Sequence, residues 1–152
     1  MPGAHVGEIS GQPFDPAFFE REGFVYDTEP PSRAVVTIRH VYPEAALPFL
    51  ERLSLSFYAG NRDITDAAVI ADIAAEAGFD RAEFLAAFSS DAAREQTRQD
   101  FTRCQTAGIR GFPTLLGGSA ASGYGLLTHG FCGLDVVQQE LGQWLGEDGP
   151  TE

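Results

Sequence analysis

The sequence predicts a mixed α/β chain in which five consecutive helices precede a β-hairpin and a closing helix. Three observations carry that expectation. Apolar residues recur at helical spacing from Thr28 to about Ala107. From Gly108 to His129 the helical spacing stops, and two short β-prone runs flank the glycine-rich stretch 117–123. Hydrophobic residues make up 43% of the 152 residues, enough for one packed core.

Residues 1–27 are rich in Gly, Pro and Phe and have no clean period; Phe14, Phe18, Phe19 and Phe24 are expected to anchor this segment on the rest of the chain. Thr28 is a candidate N-cap, and Pro30 and Pro31 fit the first helical turn, where backbone N–H groups have no intrahelical partner. Ala34, Val35, Ile38 and Val41 then fall on one face. Pro43 opens the next helix, with the stripe Ala46, Phe49, Leu50, Leu53 and Phe57, closed by Gly60 and Asn61. Thr65 is the expected cap of a third helix, with Val69, Ile70, Ile73 and Ala77 inward and Gly78 as its stop. Asp80 and Glu83 have capping-box spacing ahead of Phe84, Leu85 and Phe88. Ser90 opens a polar helix to about Ala107, with Thr97, Phe101 and Cys104 on one stripe. Phe112–Leu116 and Tyr124–His129 read as strands joined by a flexible turn over 117–123 that holds Ser119 and Ser122. Leu134, Val137, Leu141, Trp144 and Leu145 give the last helix one apolar face, and residues 146–152 read as a loose tail.

The formal charge of −12 opposes nucleic acid, whose phosphates need clustered Lys and Arg, and equally opposes an anionic membrane surface. No apolar run approaches the roughly 18 residues of a membrane-spanning helix. Met1–Gly11 lacks the basic flank and apolar run of a signal peptide, so a cytoplasmic location is the expectation. Cys104 and Cys132 form neither a disulfide framework nor a metal-ligand cluster, and both are expected to be free thiols, with no metal.

A helical block, then Gly108-Ile109-Arg110-Gly111-Phe112-Pro113-Thr114-Leu115-Leu116, then a hairpin and an amphipathic helix: this order resembles the later part of the DsbA-like branch of the thioredoxin superfamily. Within it, the resemblance is to the FrnE and 2-hydroxychromene-2-carboxylate isomerase group. It covers roughly residues 12–146, and its most specific piece is Gly111-Phe112-Pro113-Thr114. The stretch from Asp27 to Val36 resembles the start of that family's helical insert. The implied fold is α/β, thioredoxin-like of the DsbA type. Residues 28–107 would be the helical insert, 108–146 the C-terminal half of the thioredoxin fold, 1–27 a segment packed on the domain and 147–152 a tail. The family's N-terminal strand-helix-strand unit, with its C-x-x-C, has no counterpart in this sequence.

The resemblance implies thiol-disulfide chemistry, in which a thiolate at a helix N-terminus attacks a disulfide and a second cysteine resolves the mixed intermediate. It also implies a substrate-facing loop of Phe112, Pro113 and Thr114 with a cis Phe112–Pro113 bond; from the residues alone, Pro113 is an ordinary trans proline opening an edge strand. Cys104 is expected to be a buried small hydrophobe, and Cys132, next to a helix start, an inert or modestly reactive thiol. His40 fits a helix C-terminus, where its charge would offset the dipole. Ser119, His129 and Asp135 could be drawn as a triad, but no G-x-S-x-G elbow supports it, and Gly117-Gly118-Ser119 lacks the lysine of a phosphate loop. Asp91, Glu95 and Asp100 read as a solvated helix face.

Three functions follow as expectations: an oxidoreductase domain that is redox-inactive without C-x-x-C, a glutathione-dependent isomerase relative, and a non-catalytic module that holds a peptide. The corresponding partners are a thiol or disulfide protein, or a glutathione-type small molecule acting as co-substrate rather than as a resident cofactor. A two-stranded hairpin is marginal alone and would leave one edge unpaired and adhesive, so the chain is expected to form a homodimer, aggregate or be partly molten.

Overall fold

Among the described residues, five of the six helices follow one another closely, each opened by a capping side chain or by a proline in or just before its first turn. The computed structural model describes residues 11–119, 121 and 123–147, without the side chains of Phe18, Phe19 and Glu147. The expectations for Met1–Ser10, for the Phe18 and Phe19 side chains, for Ser122 and for residues 148–152 therefore lie outside the described residues. A short 3₁₀ turn, Pro16–Glu20, precedes α1 (Glu29–Val41). A second, Pro43–Ala45, leads into α2 (Ala46–Tyr58). Then come α3 (Ala67–Glu76), α4 (Arg81–Phe88) and α5 (Asp91–Thr106). The strands β1 (Thr114–Ser119) and β2 (Gly123–His129) and the helix α6 (Leu134–Glu147) complete the chain.

The contacts divide the chain into two units, Met1–Asp100 and Phe101–Glu152. In the first, Ala34 and Ile38 of α1 meet Phe49, Leu53 and Phe57 of α2, Ile70, Ile73 and Ala74 of α3, and Phe84 and Phe88 of α4. Phe14 and Phe24 pack on the same cluster, Phe24 stacked on Phe57 at 6.1 Å. The periodic face is right in the helix middles and wrong at two flanks: Val41 is 58% exposed and Leu50 45%. Val41 is the last residue of its helix and Leu50 lies at the edge of the stripe, so both keep about half of their surface in solvent. Conversely Arg33, Val36 and Thr37 are buried. Thr37 and Thr97 satisfy their buried hydroxyls by donating to the carbonyls one turn back, those of Arg33 and Ala93, both at 2.8 Å.

The caps differ in instructive ways. Asp80 accepts from the backbone N–H groups of Ala82 and Glu83, the forward half of the expected capping box. Ser90 Oγ accepts from the N–H of Ala93 at 3.1 Å, which starts α5. The cap of α3 is Asp66 rather than Thr65: Asp66 accepts from Ala68 and Val69, while Thr65 donates both its N–H and its hydroxyl to Asp63. Thr28 occupies the first cap position, but its side chain makes no capping bond; the Asp27 carboxylate accepts from Glu29 N–H instead. Gly78, at φ 95°, ends α3 as expected.

In the second unit β1 and β2 form an antiparallel hairpin, with Thr114 opposite His129 and Ser119 opposite Gly123. The register shifts between Leu115 and Leu116, so Leu127 is the extra residue of a β-bulge. The strand therefore runs through Gly117-Gly118-Ser119, which the sequence had suggested was turn, and it starts at Thr114 rather than Phe112. At Gly118, with φ 146°, a Cβ would stand 2.1 Å from the Gly123 carbonyl oxygen. These glycines permit close backbone approach as well as bending. Helix α6 extends to Glu147, so Gly146 belongs to it and not to the tail.

Candidate functional site

The loop entering β1 is held at both ends and open in the middle. Thr114 Oγ1 donates to the Gly111 carbonyl at 2.7 Å, and the Gly130 N–H donates to the Pro113 carbonyl at 2.8 Å. The Phe112–Pro113 peptide is cis. The Phe112 side chain is 79% exposed, and its backbone N–H and carbonyl have no hydrogen-bond partner among the described residues. An exposed peptide group just before a strand, with its neighbours on either side fixed, is a place where an extended chain can add by main-chain hydrogen bonding.

His129 closes one side of this loop. It lies opposite Thr114, and a Cβ added to Gly111 would come within 3.1 Å of its Nε2. The imidazole thus occupies the space a side chain at Gly111 would need. Neither His129 nor Gly130 was expected at this loop; His129 entered the sequence reading only through the unsupported triad with Ser119 and Asp135. The hairpin register is the signal that finds them: a two-stranded ladder ending at Thr114 must end on the other strand at His129.

Among the described residues no three His, Cys, Asp or Glu side chains group as a metal site would need. Cys104 and Cys132 are both free thiols, and both are partly exposed, which corrects the expectation of a buried Cys104. Its stripe on α5 is buried only at Thr97, while Phe101 is 38% exposed. Ser119 and His129 lie at opposite ends of the hairpin, separated by roughly 16 Å of strand, so they cannot act together with Asp135 as a triad. Asp100 is paired with Arg39 at 2.6 Å, and Glu95 with Arg98 and Gln99, so that acidic face is cross-linked rather than simply solvated. His40 Nδ1 lies 3.4 Å from the side-chain amide of Gln96.

Several large apolar side chains of the second unit are exposed. Phe131 is 61% exposed and Leu134 70%, and Leu141 and Leu145 of the α6 stripe are also exposed. Among the described residues of this unit only Gly117 is buried. A hairpin and one helix cannot enclose a core between them, so the face remains open.

The family model of the DSBA-like thioredoxin domain matches residues 27–142, three-quarters of the chain. The chain belongs to the DSBA-like thioredoxin family. Among solved structures, the "putative protein disulfide isomerase" of Nitrosomonas europaea is 35% identical with a TM-score of 0.89; the match covers 96% of this chain and 71% of that one. The cytosolic disulfide reductase DsbM of Pseudomonas aeruginosa is 24% identical with a TM-score of 0.69, covering 97% of this chain and 68% of DsbM. DsbM with glutathione matches at 23% identity and a TM-score of 0.67, covering 95% of this chain and 66% of that one. No curated protein matches. The expected α/β, DsbA-like thioredoxin fold therefore holds for this chain. No described helix is long and apolar enough to cross a membrane.

Proposed function

We propose that this chain is the substrate-holding part of a DsbA-family thiol-disulfide oxidoreductase, with the peptide group and side chain of Phe112, flanked by Pro113 and Thr114, as the surface a disulfide-bearing chain or glutathione meets. The observation that carries the reading is the Phe112 peptide group, without a hydrogen-bond partner among the described residues, in a loop fixed at Gly111 and Pro113. The family match and disulfide-handling neighbours support it. Placement in the FrnE and 2-hydroxychromene-2-carboxylate isomerase branch, and a cytoplasmic site of action, are part of the same proposal; the cytosolic assignment of DsbM supports the latter.

The chain carries two cysteines, Cys104 and Cys132, and no C-x-x-C. Exchange needs an attacking thiolate and a resolving thiol in sequence, so these residues by themselves would bind without turning over. The exposed Leu134–Leu145 face and the open hairpin edges are where a strand-helix-strand unit bearing the C-x-x-C, or a second copy of the chain, would pack. Glutathione as co-substrate is favoured by its presence with DsbM; that observation also keeps a glutathione-dependent isomerase as the second reading.

An insulin-reduction assay with dithiothreitol tests the proposal. We expect no rate above the uncatalysed one from this chain, together with saturable binding of oxidised glutathione or an extended disulfide peptide. Catalytic turnover would refute inactivity, and absence of both activity and binding would refute the substrate-holding role.

A further inference from the structure

The first unit contains a cavity of about 710 Å³ that no part of the thiol chemistry uses. Its volume falls in the range of small-molecule sites, roughly 300–1,000 Å³. Its apolar lining includes Leu55 and Phe79, and Phe79 is backed edge to face at 6.1 Å by the core residue Phe49. Two guanidinium groups line it, those of Arg52 and Arg62. Arg62 Nη1 donates to both carboxylate oxygens of Glu76, at 3.0 and 2.8 Å. That pair fixes the group while leaving Nε and Nη2 uncommitted. Arg52 has no hydrogen-bond or ion-pair partner among the described residues. Glu51 also lines the cavity and adds one negative charge.

We propose that this cavity binds a small amphiphile with an apolar tail and a single carboxylate, the tail on Leu55 and Phe79 and the carboxylate on Arg52 and Arg62. Each feature selects a part of that ligand. Aromatic and aliphatic walls favour a hydrocarbon body. The planar guanidinium fork matches a carboxylate, and its charge-assisted bonds are the stronger kind. Glu51 opposes a second negative charge, so a monoanion fits better than a dianionic phosphate. The protein's overall charge of −12 repels carboxylates at long range, so any that bind must be held by this local pair.

The lining residues all belong to the first unit, and the proposal does not depend on the proposed function. The test uses the whole chain and decanoate as probe, followed by ¹⁵N amide shifts and calorimetry. We expect saturable binding with shifts at Leu55, Ser56, Gly60, Arg62 and Phe79. Arg52 is exposed on α2 and R52A should fold normally, its other amides unmoved. It should weaken decanoate binding roughly tenfold, about the loss of one charge-assisted contact. R52K should restore part of the loss. Decanol should bind more weakly than decanoate, and decyl phosphate no more tightly. Equal binding of decanol, an unchanged affinity in R52A, tighter binding of decyl phosphate, or shifts confined to the Leu134–Leu145 face would each overturn the assignment.

Discussion

Gly117 lies against Trp144. A Cβ built at Gly117 would stand 3.0 Å from two carbons of the indole, and 3.1 Å from Cδ1 of Leu127. The contact joins β1 to α6 and explains a glycine in mid-strand, where it otherwise weakens the ladder. Trp144 is the single tryptophan of the chain, so its fluorescence reports on this packing.

The two glycines should differ when replaced. G117A presses a methyl on side chains that can shift, and should cost about 1 kcal/mol with a change in Trp144 emission. G118A presses a methyl on backbone, 2.1 Å from the Gly123 carbonyl oxygen, at a φ that L residues rarely adopt. It should cost more and abolish hydrogen-exchange protection at Leu116 and Leu126. Equal protection in both variants would show that the hairpin tolerates a side chain at Gly118.

The capping pattern predicts unequal effects from similar residues. D66A and D80A each remove a side chain that accepts two backbone N–H bonds, and each should lower stability by about 1 kcal/mol in urea denaturation. T28A should change it little, because Thr28 makes no capping bond. A T28A loss as large as that of D66A would contradict the geometry.

Arg33 is 8% exposed, lies 4.2 Å over the Phe88 ring and is 3.2 Å from Glu29, yet its Nε and Nη1 are buried with no hydrogen bond. A buried cation incompletely satisfied offsets much of its own attraction to its partner. R33M keeps the aliphatic stem against Phe88 and removes the charge. We expect its stability to match or exceed that of the parent, within about 1 kcal/mol. E29A leaves the buried cation only the Phe88 ring and should destabilise. A loss for R33M well above that for E29A would assign Arg33 a partner beyond Glu29 and Phe88.

Burial, and then its hydrogen bond with Tyr58, push the Tyr26 phenol well above the ordinary tyrosine value. The folded state then holds that proton more tightly than the unfolded state. Stability contributed by Tyr26 is intact below the unfolded value of about 10 and falls as pH rises past it. Tyr26 is still 46% exposed, so solvent moderates the effect. In a spectrophotometric titration the Tyr26 step should lie above the ordinary tyrosine value and vanish in Y26F, and Y26F should flatten the stability loss above about pH 10. An unchanged slope in Y26F would contradict this.

Local chemistry marked Asp80, Ser90 and Gly78 because one residue type at one spacing decides a helix end. It misplaced the cap of α3 by one position, since Thr65 and Asp66 can both cap and only the bond from Thr65 to Asp63 settles the choice. Gly117 and Gly118 read as turn residues because glycine preference does not distinguish bending from close approach; the deciding neighbours, Trp144 and Gly123, come from elsewhere in the chain. The Gly111-Phe112-Pro113-Thr114 segment stood out through its resemblance. Its wall, His129, did not, because a histidine at a strand end has no distinguishing local pattern.

The most direct measurement is a ¹⁵N amide titration of this chain with oxidised glutathione and, separately, with an extended disulfide peptide. We expect saturable shifts at Gly111, Phe112, Thr114 and Gly130, with the α3 and α4 amides unmoved. Saturable shifts confined to the helical unit, or none at Gly111–Thr114 at any concentration, would contradict the placement of the substrate on this loop.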